Sequence, residues 1–204
     1  VADRAQKLTD TLAGLGATVS DKARPRFADF GLSFEDTLET YQSLLWGVMS
    51  AGLPEEIHEA LKAEAETLAE DDRSVHADYL RGSTQDHRRW GFHNNRRFLI
   101  RRVWSAFFQD WDILICPQVP TVAFPHDHGS YFERTLSFDG RTIDYMAQIN
   151  WAGLITAAHL PSTVFPTGPS RDGLPIGLQA VGREFDDDRT IDFCRLLAEE
   201  IGGF

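Results

Sequence analysis

Asp172-Gly173-Leu174-Pro175-Ile176-Gly177-Leu178-Gln179-Ala180-Val181-Gly182 is the stretch on which the reading of this 204-residue chain turns. Pro175 to Val181 reads as a strand, and Thr163-Val164-Phe165 as the strand before it. The turn Gly168-Pro169-Ser170-Arg171-Asp172-Gly173 joins them. Just beyond, the spacing predicts a helix from Asp188 to Ile201, with Ile191, Cys194, Leu197 and Ile201 inward and Gly202-Gly203 as its stop.

Upstream, Leu99/Val103/Phe107 and Ile100/Trp104/Phe108 step by four, which predicts an amphipathic helix from about His93 to Phe108. Asp112-Ile113-Leu114-Ile115-Cys116 follows as a short apolar run ended by Pro117, the pattern of a buried strand in a largely parallel sheet. Leu136 to Ile143 reads as a hairpin at the sheet edge, because Asp139-Gly140 can take the positive φ values of a tight turn. Nearer the start, Val1, Ala5, Leu8, Leu12 and Leu15 predict a helix, and Ala17-Thr18-Val19 a short strand after it. Two more helices are expected: Thr37 to Val48, with Leu38, Tyr41, Leu44, Leu45 and Val48 on one side, and Glu55 to Glu70, with Ile57, Leu61, Ala65 and Leu68. No repeat, low-complexity tract or linker divides the chain, so one unit over 1–204 is expected.

Composition narrows the function classes. A formal charge of −11 repels nucleic acid and anionic membranes, whereas a neutral or cationic small molecule suits it. No apolar run reaches the length of a membrane span, and Val1-Ala2-Asp3-Arg4 lacks the features of a signal peptide. The only cysteines, Cys116 and Cys194, imply no disulfide framework, so a reducing, cytoplasmic setting is expected.

The chemistry-bearing groups are few. Cys116 ends a strand, where binding crevices open, and could act as a nucleophile with His126 or His128; the competing reading is a buried apolar thiol. His126-Asp127-His128 would need a third ligand such as His87 or His93 to hold a metal, and a polar loop explains it better, so no metal is expected. Arg88, Arg89, Arg96, Arg97, Arg101 and Arg102 gather on one helix and are expected to pair with carboxylates. Gly168 and Gly173 have the spacing of a phosphate loop, but Leu174-Pro175 stands where Lys and Ser or Thr are required. No Gly-x-Ser-x-Gly elbow or Ser-x-x-Lys occurs, and Lys7, Lys22 and Lys62 sit among polar neighbours that keep an amine protonated.

Taken in order, three stretches resemble the amidase-signature family: an aromatic and arginine-rich helix from Trp90 leading into Phe107-Phe108-Gln109-Asp110-Trp111-Asp112-Ile113-Leu114-Ile115-Cys116-Pro117 with Pro120 to Asp127, then Leu160 to Gly168, then Asp172 to Gly182 with Asp187 to Thr190. The resemblance covers nearly the whole chain and corresponds to the carboxy-terminal part of that family's domain. It implies an α/β fold with a mixed β-sheet covered by helices, and cofactor-free hydrolysis of a carboxamide through an acyl-serine. That chemistry uses two serines in a glycine-rich run and a lysine base. Adjacent serines are absent here and Gly202-Gly203 is the only glycine pair, so no catalytic residue is assigned. The resemblance implies instead that Cys116, Pro117, Asn150 and Trp151 help wall the substrate pocket, with core packing the competing reading for Trp151. One departure stands out: the family's Asn-x-x-Gly-Leu-Pro arrangement is altered, since Ile155 follows Gly153-Leu154 and Leu160-Pro161 comes later. The expected partners are a small amide substrate and either a second copy of the chain or a chain carrying the rest of the domain, with no nucleic acid or membrane. A non-catalytic scaffold pairing with such a partner is the alternative reading.

Overall fold

The computed structural model describes residues 1–202, which form an α/β fold of seven α-helices and five strands. Its centre is a three-stranded sheet in the order β1-β5-β4, made of β1 (Leu114–Pro117), β4 (Ser162–Pro169) and β5 (Pro175–Val181). Both pairings are antiparallel, with Cys116 opposite Gln179 and Phe165 opposite Leu178. The largely parallel sheet expected from Asp112 to Cys116 is therefore corrected, and of the mixed sheet only antiparallel pairs lie among the described residues. An unbroken apolar run reports cover on both faces, not strand direction.

Alternating side chains divide the sheet between two helical layers. On one face Ile113, Ile115, Phe165, Leu178 and Ala180 pack with Leu8 of α1 (Ala2–Gly14) and Leu197 of α7 (Asp187–Ile201). On the other, Cys116 and Val181 pack with Ile100, Trp104 and Phe107 of α5 (His87–Phe107) and with Ile155 of α6 (Asn150–Ala157). Helix α5 starts six residues before the expected His93, because Asp86 caps it by accepting the Arg89 amide. Helix α7 turns inward on Thr190, Phe193, Cys194 and Leu197; Ile191 and Ile201, expected inside, are exposed. Its expected stop at Gly202-Gly203 falls partly outside the described residues.

A second, helical layer rests on α5. Helix α2 (Phe34–Ser50) packs against α4 (Val75–Ser83), α5 and α6, and a capping box between Ser33 and Asp36 opens it. The buried side of α2 carries Thr37, Thr40, Ser43, Trp46 and Ser50, while Val48 is 70% exposed, so the apolar side expected from spacing is not the buried one. Small residues let neighbouring helices approach closely: a Cβ on Gly82 of α4 would lie 2.7 Å from Cβ of Trp46. Helix α3 (Glu55–Ala65) ends five residues short of Glu70 and buries Leu61, leaving Ile57 exposed.

Ala17-Thr18-Val19 forms no strand, because no neighbouring strand supplies a ladder and Val19 stays exposed. The hairpin forms as expected, from β2 (Thr135–Phe138) and β3 (Arg141–Asp144), with Asp139 and Gly140 at φ 49° and 71°. It stands as a separate two-stranded sheet and does not extend the central one.

Candidate functional site

The end of β1 is braced from inside the sheet. Gln179, 2% exposed, donates from Nε2 to the Pro117 carbonyl at 2.9 Å and accepts the Ser162 hydroxyl at Oε1 at 2.7 Å. One side chain on the middle strand thus ties both outer strands together. Cys116 lies under it in the core, and burial pushes its thiol up to about 12, against a hydrogen bond with Gln179 that acts the other way. Such a thiol is neutral at pH 7 and is a poor nucleophile. His126 and His128 sit in the exposed loop after β1, their ring centroids 6.0 Å apart, and neither bonds Cys116 among the described residues. The cysteine-hydrolase constellation is not assembled.

Helix α6 links the expected pocket residues to a different surface. Its Ile155 packs on Cys116, while Asn150, at its first turn, accepts from Gln42 Nε2 of α2 at 3.4 Å. Trp151 is 38% exposed, so the core-packing reading of this residue is corrected. Asn150 opens onto a groove of about 820 Å³ between α2, α4 and the segment before α6, lined also by Glu39, Gln42, Asp78, Arg81 and Met146. Cys116, Pro117 and Trp151 do not line it. The structure therefore joins Cys116 and Pro117 at one end of the sheet and sets Asn150 in the groove, with α6 between them.

Of the six arginines expected to pair with carboxylates, Arg89, Arg96 and Arg101 do so among the described residues, whereas Arg97 donates to Asn94 and Arg102 meets a ring. Arg96 reaches Asp36 at 3.0 Å and Glu39 at 2.7 Å, Arg101 pairs with Glu184, and Arg102 lies over the Phe30 ring at 5.6 Å. His87, His93, His126 and His128 do not converge, and no three potential metal ligands gather among the described residues.

Asp78 is the group that sequence reading missed. It faces the groove half-buried, has no hydrogen-bond or ionic partner for its carboxylate among the described residues, and burial raises its pKa above the ordinary 3.8. Its signal was weak: α4 is only nine residues long, and Ser74 as a cap is the main local mark of its start. Gln179 was legible in principle, as a lone amide inside an apolar strand.

A family model described as Amidase matches residues 3–191. A glutamyl-tRNA(Gln) amidotransferase subunit from Wolinella succinogenes is 33% identical over 106 residues, 52% of this chain and 21% of that protein. Among solved structures, the crystal structure of an amidase superposes with a TM-score of 0.70 at 21% identity, covering 98% of this chain and 42% of that one. The structure of 6-aminohexanoate cyclic dimer hydrolase does so at 0.62 and 23%, covering 98% and 41%. The chain thus matches about a fifth of the curated relative and about two fifths of the solved chains.

Proposed function

This chain belongs to the amidase family, and from that we propose that it is the carboxy-terminal part of an enzyme hydrolysing a carboxamide C–N bond, with nucleophile and base supplied from outside these 204 residues. The observation that carries the reading is the match along 3–191 by a sequence with no adjacent serines. In this reading residues 1–204 are one partial domain, working in the cytoplasm without a cofactor on a small amide.

Its own residues do positioning work. In this reading the β1 end, Cys116-Pro117, held by Gln179, walls the acyl pocket, and Asn150 and Trp151, set apart from it by α6, are assigned to the same pocket by the family resemblance alone. Gln179 keeps the Pro117 carbonyl engaged, so the strand end cannot drift from the reacting amide. A wall that moves by an ångström misplaces the carbonyl carbon against a nucleophile and slows acyl transfer steeply.

The partner is a polypeptide carrying the serine- and glycine-rich segment. Open sheet margins support it: β1 and β4 are both outer strands, and Val164 of β4 is 58% exposed. The same margins favour the scaffold reading, in which pairing persists without catalysis. No helix among the described residues is long and apolar enough to cross a membrane.

Assay of the purified chain against an aryl amide, alone and mixed with a polypeptide bearing that segment, tests both readings. Turnover only in the mixture, abolished by Ser→Ala in the added segment, supports the enzyme; a stable complex without turnover supports the scaffold. Serine-dependent hydrolysis by the chain alone overturns the assignment.

A further inference from the structure

Strand β5 leaves the sheet at the end opposite Cys116-Pro117, since it runs antiparallel to β1 with Val181 against Leu114. Just beyond, Phe185 stands third in the turn Arg183-Glu184-Phe185-Asp186, which the Asp186 amide closes by donating to the Arg183 carbonyl at 3.0 Å. Its φ is 65°, a region that glycine or asparagine takes in such turns and that a bulky side chain enters only at a cost. The residue is also 89% exposed, so water meets nearly all of its apolar surface.

The turn is nevertheless pinned. Glu184 pairs with Arg101 of α5, and Asp186 accepts Arg189 Nε of α7 at 2.7 Å, while Arg189 also meets Asp112 ahead of β1. Three elements thus hold the backbone in the conformation that puts the ring outside. Strain and exposure are two costs that no contact among the described residues offsets, and such costs persist where a site uses them. The surroundings are apolar and basic. Arg101 lies over the half-exposed Phe98 ring at 5.4 Å, Arg97 one turn earlier bonds Asn94 and no carboxylate, and Arg183 approaches Asp186 only at 3.9 Å. In a chain of net charge −11 that local excess of guanidiniums favours an acidic neighbour.

We propose that Phe185 anchors a docking surface, made with Phe98, Arg97 and Arg101, for the polypeptide that supplies the nucleophile and base. That polypeptide seats an apolar socket over the Phe185 ring and sets a carboxylate against Arg97. The inference rests on the reading of this chain as part of an amidase. The 42% and 41% of the two solved chains that superpose here leave about three fifths of each outside, so a segment of ample length is at hand to cover the ring. The surface also continues the margins of β1 and β4, because Arg189 ties the turn to Asp112 and the Gly182 amide donates to the Pro161 carbonyl at 3.1 Å. An aromatic ring on a fixed backbone loses little freedom on burial and shields the charges beside it, which suits it to anchor an interface.

Photo-crosslinking reads the surface directly. p-Benzoylphenylalanine takes the place of Phe185 in the chain as its own cells make it, with the exposed Phe138 of the hairpin as the control position, and mass spectrometry identifies the joined peptides. A product from position 185 and not from 138, joined to a polypeptide with adjacent serines in a glycine-rich run, is expected. Phe185→Gly should cut the amount of that polypeptide recovered with the chain by about tenfold or more, while the melting temperature of the chain alone stays level or rises. A second copy of this chain as the joined partner, an unrelated protein, or no product above the control would overturn the proposal. Undiminished recovery with Phe185→Gly would do the same, as would a lowered melting temperature, since the ring would then serve this chain's own fold. Recovery of such a polypeptide without a joint at 185 sinks this surface alone, whereas recovery of none sinks the enzyme reading with it.

Discussion

Asp78 and Asp36 stand on neighbouring helices and titrate in opposite senses. Burial raises Asp78 above 3.8, so between its unfolded and folded values the native state holds the extra proton, and stability falls as pH rises through that window. Asp78→Asn removes the penalty: the melting temperature at pH 7 should rise, and the gain should vanish well below pH 3.8. Asp36 is lowered, first by the Ser33 backbone amide and further by the Ser33 hydroxyl and Arg96, against the opposing effect of burial. Its contribution is therefore complete above 3.8 and lost as pH falls through the depressed folded value, so Asp36→Asn should cost most at neutral pH and little in strong acid. Melting curves from pH 2 to 7 check both signs, and parallel curves for the two variants would refute them. Gln179 is a different case, since no charge is involved. Gln179→Leu leaves the Pro117 carbonyl and Ser162 hydroxyl without their partner, and a loss of about 1–3 kcal/mol is expected from urea unfolding.

At the level of elements, the contact between α2 and α6 is the most sharply constrained. A Cβ on Gly153 would lie 2.3 Å from Cε1 of Tyr41, so the ring occupies the space that any side chain there would need. Gly153→Ala should destabilise by about 1–3 kcal/mol, and Tyr41→Ala in the same chain should make that substitution nearly free. Simple additivity of the two changes in a denaturant series would contradict this packing. The pair also shows what the sequence could and could not disclose. Strands β4 and β5, the Asp139-Gly140 hairpin and the core of α5 were legible because turn residues and four-residue steps act locally. The buried side of α2 was not, since α4, α5 and α6 surround it and favour Thr37, Thr40 and Ser43, which are small enough for close approach. Strand direction escaped for a related reason: β1 is apolar whichever way β5 runs. The groove was least legible of all, because Gln42, Asp78 and Asn150 come from three separate elements and nothing in their local spacing links them.

Across the whole molecule, protection is expected to follow the layering. Strand β5 is hydrogen-bonded on both sides, lies between α1/α7 and α5/α6, and has Leu178, Ala180 and Val181 wholly buried. Its amides should exchange with solvent only when the entire chain opens. The β2–β3 hairpin is a two-stranded sheet that buries Leu136 but leaves Ser137 and Phe138 open, so its amides should exchange by local fraying orders of magnitude sooner. Strands β1 and β4 fall between, since among the described residues each pairs on one side only. If a polypeptide carrying the rest of the domain docks along those margins, amides of β1 and β4 should slow markedly while those of the hairpin and of β5 change little. Hydrogen exchange on the chain alone and in the mixture measures this. Equal slowing everywhere would mean that the partner raises global stability without seating on the sheet, and the pairing surface would then lie elsewhere.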